Sequence, residues 1–140
     1  MDQLTSATKT HSEKYQQMAS RIERYGQLES PDGYGQRTGE CGDTIDMYLS
    51  IGGGRIQMVT FTVIGCTNTV ACGNTVSYLM EGRTLNEAWN LTPENVASYL
   101  ETLPPDHFHC AELAVGAFYR ALTDYSRRQK EQWKKPYSRK

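Results

Sequence analysis

The feature that most constrains the fold is a pair of adjacent β-strand patterns. From Ile45 to Ile51 apolar residues alternate with polar ones, which is typical of a strand buried on one face. The three glycines at 52–54 can supply the positive φ angles of a hairpin. Residues 55–64, RIQMVTFTVI, are rich in β-branched and aromatic side chains, which favour a second strand. We therefore expect two antiparallel strands joined by a tight turn.

The patterns that follow this hairpin are helical. Cys66 closes the second strand, and Asn68 or Thr69 can cap a helix that reaches Met80. A capping box at 84–87 and a Thr-Pro pair at 92–93 predict two short helices. Apolar residues at i, i+3, i+4 spacing then predict a long final helix that starts near His109. Strands followed by helices indicate an α+β domain, a small antiparallel sheet with helices packed on one face.

The length of 140 residues suits one domain, which we divide into four segments. Helical spacing of apolar residues over 12–25 assigns 1–25 to an N-terminal helix. Crowded glycines make 26–40 a Gly-rich loop, and 41–126 form the core. Residues 127–140 carry seven Lys or Arg and one Glu, and we interpret them as a basic, solvated C-terminal tail.

Composition excludes several classes of protein. Hydrophobic residues make up 38% and aromatic residues 10% of the chain, too many for wholesale disorder. No stretch approaches the roughly 18 apolar residues of a membrane helix, and the N-terminus lacks the pattern of a secretion signal. The basic tail is not accompanied by a known nucleic-acid motif. We therefore expect a cytoplasmic protein with neither nucleic acid nor membrane as partner.

The four cysteines, Cys41, Cys66, Cys72 and Cys110, include no C-x-x-C pair. In a reducing cytosol they are expected to be reactive or metal-binding thiols and not disulfides. Cys66 and Cys110 open helices, and helix N-termini favour negative charge, so we expect lowered thiol pKa values at both.

Two further side chains with ligand chemistry stand beside these cysteines. Asp43 follows Cys41 by two residues, and His109 precedes Cys110 directly. Three sulfur ligands, one imidazole and one carboxylate suit zinc, ferrous iron or an iron–sulfur cluster. We expect them to converge in one exposed metal or cluster site at one end of the sheet.

Four motifs in this order resemble those of a known family. They are Glu40-Cys41-Gly42-Asp43, Ile64-Gly65-Cys66, Leu103-Pro104-Pro105 and His109-Cys110. Together they resemble the IscU-type scaffold family, which also forms the N-terminal part of NifU. The resemblance covers nearly the whole chain.

The resemblance implies a non-enzymatic platform. On it a 2Fe-2S cluster would be assembled from iron and from sulfur supplied by a cysteine desulfurase, then transferred to apo iron–sulfur proteins. It implies that Cys41, Asp43, Cys66, His109 and Cys110 hold the cluster or metal, with zinc as an occupant of the cluster-free form. It further implies that Cys110 accepts persulfide sulfur and that Asp43 keeps the cluster labile.

The sequence departs from the family pattern in two informative places. Cys72 stands where small hydroxyl residues are usual, and its spacing from Cys66 turns it to another helix face, so we expect it to pack in the core. After Leu-Pro-Pro the family continues with Val-Lys in a chaperone-recognition stretch, whereas Asp106-His107 stands here. A chaperone pair is therefore a further candidate partner with an altered docking motif.

Two other functions compete with the scaffold. One is a zinc-dependent sulfur-transfer protein of the related SufU branch, in which one thiol of the zinc site exchanges. The other is a structural zinc-binding interaction module whose basic tail meets an acidic partner.

Overall fold

The computed structural model describes residues 11–138, with side chains to residue 132. The strands are β1 (Gly33–Thr38), β2 (Thr44–Gly52) and β3 (Arg55–Ile64). The helices are α1 (Glu13–Ser20), α2 (Thr67–Met80), α3 (Leu85–Ala88), α4 (Pro93–Leu100) and α5 (Phe108–Ser138). A 3₁₀ turn, Pro105–His107, leads directly into α5.

The three strands form an antiparallel sheet in the order β1-β2-β3. The alternation in β2 places Ile45, Met47 and Leu49 on the face toward the helices, where all three are fully buried. Gly53 and Gly54 have positive φ in the turn to β3, as the sequence predicted.

Helices α2 and α5 pack directly on one face of this sheet, α2 against β3 and α5 against β1 and β2. Helices α1 and α4 pack against α2, and α4 also contacts α5. Phe61 of β3 and Phe118 of α5 are the largest fully buried side chains of the core between these layers. The expected α+β class with helices on one sheet face is confirmed.

The prediction of a loop over residues 26–40 is wrong for its second half, because β1 pairs there with β2 from Gly33↔Leu49 to Thr38↔Thr44. The many glycines suggested turns, yet two of them allow the strand backbone to lie close to the backbone of α5. A Cβ at Gly33 or Gly35 would overlap backbone atoms of α5 at Ala117 and Ala121. Glycine in β1 is therefore what lets the edge strand lie against the long helix.

The N-terminal helix is shorter than predicted, since α1 ends at Ser20 and residues 1–10 lie outside the described part. Tyr15 and Met18 are buried as the pattern indicated, but Ile22 is 79% exposed. The Asn74 side-chain amide of α2 donates to the carbonyls of Met18 and Arg21, at 2.6 and 2.9 Å. These bonds satisfy carbonyls at the helix end, so the chain can leave the helix there.

The assignment of residues 127–140 to a tail after the last helix is also wrong, because α5 continues to Ser138. Arg127 and Arg128 both pair with Asp124 one turn earlier, at 2.5 and 3.0 Å. Asp124 also accepts the backbone N–H of Tyr34, which ties this part of α5 to β1. Within residues 11–138, neither α5 nor another helix combines the length and apolar character needed to cross a membrane.

The contact between β1 and α5 gives a stability prediction. Gly35→Ala would force the strand and helix apart, and we expect it to lower the free energy of unfolding by about 1–3 kcal/mol. Gly39→Ala is the matched control, because its Cβ would lie 3.6 Å from Leu113 of the same helix, an ordinary contact. Chemical denaturation of both variants measures the difference, and equal stability would contradict the close approach.

Candidate metal centre

Two thiols meet where β3 ends and where α2 and α5 begin. Cys66 is the N-cap residue of α2, and Cys110 lies in the first turn of α5. Donor atoms of Cys66, Cys110 and His107 all lie within 4.8 Å of one another. Cys66 is partly exposed and Cys110 is fully buried, so the group reaches inward from the protein surface.

Asp43 is turned toward the start of α2. One carboxylate oxygen accepts the backbone N–H of Cys66 at 3.2 Å and the hydroxyl of Thr69 at 2.8 Å. Hydrogen bonds from Thr69 and from Cys66 hold the pKa of the Asp43 carboxyl below its usual range. The sequence suggested Asn68 or Thr69 as the helix cap, but the N-cap residue is Cys66, whose side chain makes no capping hydrogen bond. Gly65 makes room for the carboxylate, because a Cβ there would overlap the Asp43 side chain.

Cys41 and His109 lie on the outer side of the group. Cys41 is exposed in the turn between β1 and β2, and a side-chain hydrogen bond with it contributes to lowering the Asp43 pKa. Cys41 and His109 together line a cavity of about 480 Å³, with Arg37 and Glu112 among its other walls. The structure thus brings Cys66 and Cys110 together and places the other three predicted residues around them. That all three thiols share one metal or cluster stays a prediction.

The expectation of a lowered thiol pKa is wrong for Cys110. Burial raises the pKa of the Cys110 thiol to about 11, and the nearby Cys66 and Asp43 add to the rise. A hydrogen bond involving Thr69 acts in the opposite direction and is outweighed. The position at a helix start was predicted correctly, but the sequence does not show how completely the core encloses the sulfur.

Cys72 packs in the core, as predicted. It is fully buried, and burial raises its thiol pKa well above the usual value. It therefore behaves as a small apolar side chain of α2.

Sequence reasoning missed three residues at this centre. The ring nitrogen of His107 lies near the Cys66 and Cys110 sulfur atoms. The Thr69 hydroxyl donates a hydrogen bond to Asp43. Burial and the nearby cysteines raise the pKa of Tyr15. The spacing of His107 and Cys110, three residues apart at a helix start, was a usable signal. No sequence signal points to Tyr15, because α1 reaches the centre only through tertiary packing.

This arrangement suits binding of a soft or borderline metal ion. Thiolate and imidazole donors favour zinc, iron and iron–sulfur clusters over magnesium or calcium. The cavity beside Cys41 leaves the outer side of the centre accessible to a partner or a second ligand.

Comparison with known proteins identifies relatives of the chain. Residues 12–132 match the family described as the NifU-like N terminal domain. The chain is 34% identical over 104 residues to the iron-sulfur cluster assembly scaffold protein IscU 1 of Archaeoglobus fulgidus, covering 74% of this chain and 68% of that protein. It is 29% identical over 107 residues to the scaffold protein IscU of Aquifex aeolicus, with the same two shares covered.

Solved structures share the fold at lower identity. An N-terminal NifU-like protein of Brucella abortus superposes with a TM-score of 0.66 at 19% identity, over 83% of this chain and 94% of that one. A protein named as an iron-sulfur cluster assembly scaffold for the SUF system, from Fervidobacterium islandicum, gives 0.65 at 21%, over 83% and 98%.

The burial of the thiols predicts their order of alkylation in the metal-free protein. At pH 7 iodoacetamide should modify the exposed Cys41 first, whereas Cys110 and Cys72 should react slowest. With a pKa of about 11, roughly one Cys110 thiol in ten thousand is ionised at pH 7, and this fraction rises tenfold per pH unit below the pKa. Peptide mapping by mass spectrometry measures the order, and denatured protein is the control. Equal rates at Cys41 and Cys110 at pH 7 would contradict the raised pKa.

Proposed function

The chain belongs to the NifU-like N-terminal domain family, and we propose that it is a scaffold on which an iron–sulfur cluster is assembled and from which the cluster passes to apo-proteins. The observation that carries this proposal is the meeting of Cys66 and Cys110 beside the Cys41–Asp43 turn, next to an open cavity. Relatives named as cluster assembly scaffolds support it. We place the activity in the cytoplasm, where reducing conditions keep the four cysteines as free thiols.

The cluster is the cargo of this scaffold, a 2Fe-2S unit in our proposal. Its ligands would come from Cys66 and Cys110 on the inner side and from Cys41, Asp43 and His109 on the outer side. Carboxylate and imidazole bind a soft iron centre less tightly than thiolate does. A ligand set that mixes carboxylate, imidazole and thiolate on the outer side therefore suits a cluster that must be released. The cavity would give an acceptor protein access to the cluster.

Sulfur would enter as a persulfide from a cysteine desulfurase, with Cys110 as the acceptor. The Cys110 thiolate attacks the terminal sulfur of the desulfurase persulfide, forming a new S–S bond. The S–S bond on the desulfurase breaks, and its cysteine leaves as a thiolate. Because the Cys110 thiol is buried and protonated at neutral pH, this step requires local opening of the α5 start, so that the thiol proton can pass to solvent.

Anaerobic reconstitution tests the scaffold function directly. The protein is incubated with iron, cysteine and a cysteine desulfurase, and the visible spectrum is followed before an apo-ferredoxin is added. A scaffold gains visible absorbance and then loses it to the ferredoxin. Failure of both steps would refute the proposal.

A zinc-dependent sulfur-transfer protein is the second candidate. The Cys66–His107–Cys110 donors, which suit zinc, favour it. A protein of this kind would accept sulfur from the desulfurase yet stay colourless when supplied with iron. The same reconstitution therefore separates the two functions.

Asp43 gives a test of cluster release. Asp43→Ala should lengthen the lifetime of the reconstituted cluster and slow its transfer, because the labile carboxylate is removed. Decay of visible absorbance measures the lifetime. Asp46→Ala is the matched control, since Asp46 of β2 bonds Tyr34, Gln36 and Thr62 on the sheet instead. An unchanged lifetime in Asp43→Ala would remove Asp43 from the mechanism.

Cys110 gives a test of sulfur transfer. Cys110→Ser should abolish persulfide formation by a desulfurase, whereas Cys72→Ser, a change at the other fully buried thiol, should leave it nearly intact. Mass spectrometry detects the added sulfur atom of about 32 Da on the modified peptide. A persulfide that forms on Cys41 or Cys72 in the unsubstituted protein would overturn the assignment.

A further inference from the structure

One long side chain lies between β1 and α5 close to the outer thiol. Every second residue from Gly33 onward faces α5, because side chains alternate along a strand. Positions 33, 35 and 39 are glycines, and a Cβ at each would lie within 4 Å of α5 atoms. Arg37 is therefore the one side chain on this face between the start of β1 and the turn that carries Cys41.

Arg37 fits against α5 because residue 116 is a glycine. A Cβ at Gly116 would overlap Arg37 Nη1 and would lie 2.8 Å from its Cδ and 2.9 Å from its Cζ. We call the space left by this missing Cβ the Gly116 notch. The same Nη1 atom donates a hydrogen bond to the carbonyl of Glu112 at 3.2 Å.

These contacts connect the two segments that carry the outer thiol and the deepest inner thiol. Arg37 precedes Cys41 by four residues, and Glu112 follows Cys110 by two. Arg37 also forms part of the wall of the cavity that Cys41 lines. No ion pair among the side chains described up to residue 132 includes Arg37. The backbone of α5, and not a carboxylate, thus holds the guanidinium in place.

The outer thiol depends on such a connection because its turn is exposed. Side-chain hydrogen bonds of Cys41 and of Cys66 both lower the pKa of Asp43, so the two sulfur atoms lie beside the same carboxyl group. A movement of the Cys41 turn away from α5 would separate them.

We propose that Arg37 is a positioning residue, whose guanidinium in the Gly116 notch fixes the distance of Cys41 from the inner thiols. Arg37 stays outside the ligand set and acts through Cys41, and no covalent bond forms or breaks in this role. The role deepens the proposed scaffold function and rests on it for its purpose, since an outer thiol held at one distance can share a cargo with the inner ones.

Thiol cross-linking of the metal-free protein tests this role without iron or a desulfurase. Bis-methanethiosulfonate reagents with spacers of increasing length bridge two cysteines, and peptide mapping by mass spectrometry identifies the Cys41–Cys66 bridge. In the unsubstituted protein the yield should peak at one short spacer. Arg37→Ala should lower this peak by about 2–10-fold, the range that loss of one hydrogen bond gives, and should spread bridging over longer spacers.

Gly116→Ala tests the notch by an independent route. It keeps the arginine but displaces its guanidinium, so it should spread bridging as Arg37→Ala does. The double variant should match Arg37→Ala alone, because no guanidinium is left to displace. Arg120→Ala is the matched control, since Arg120 donates a bond of the same 3.2 Å length between α5 and β1, to the carbonyl of Gln36, and lines a different cavity. It should keep the peak of the unsubstituted protein.

Circular dichroism and urea denaturation of each variant check the fold. If Gly116→Ala does not fold, Arg37→Gln replaces it, because glutamine keeps a polar side chain without the guanidinium and should also spread bridging. An unchanged profile in Arg37→Ala, additive effects in the double variant, or equal spreading in Arg120→Ala would overturn the assignment. If bridging depends on Arg37 but no cluster forms with iron and desulfurase, the scaffold function fails and this assignment stands. If a cluster forms and transfers while bridging ignores Arg37, the reverse holds.

Discussion

The position of helix α5 against β1 is the constraint on which the site depends. Glycine at residues 33 and 35 lets the strand approach the backbone of α5 at Ala117 and Ala121. The helix therefore packs against β1 and β2, and Cys110 in its first turn lies near Cys66, just after the end of β3. Cys110 comes to Cys66 as a result of this packing, although many residues separate the two in sequence.

Asp43 links the remaining parts of the centre. It follows the exposed turn that carries Cys41, and its carboxylate accepts hydrogen bonds from the Cys66 backbone and the Thr69 hydroxyl at the start of α2. One side chain thus connects the β1–β2 turn with the end of β3 and the start of α2. A residue expected to bind metal also has a structural task, so the metal-binding and folding energies of this edge are coupled.

Burial outweighs the helix dipole at Cys110. A charge at a helix terminus is stabilised by about 0.3–1 kcal/mol, up to about 2 kcal/mol when partly buried. Burial is the largest cause of the rise of the Cys110 pKa to about 11, and the nearby Cys66 and Asp43 add to it. A fully buried thiol is therefore protected from oxidation until a cation or a partner protein gains access to it.

The sequence by itself determined the hairpin of β2 and β3, the capped helices after it and the placement of Cys66 and Cys110 at helix starts. These features follow from local periodicity and capping, in which neighbouring residues interact. It did not reveal β1, because glycine is needed at position 35 only where the strand meets α5. It did not reveal the early end of α1, because the bonds to the carbonyls there come from Asn74 of α2. Only the tertiary structure decided that Cys110 is buried, that His107 lies beside it and that His109 lines a cavity with Cys41. Packing between segments distant in sequence sets those distances and exposures, and spacing along one chain does not encode them.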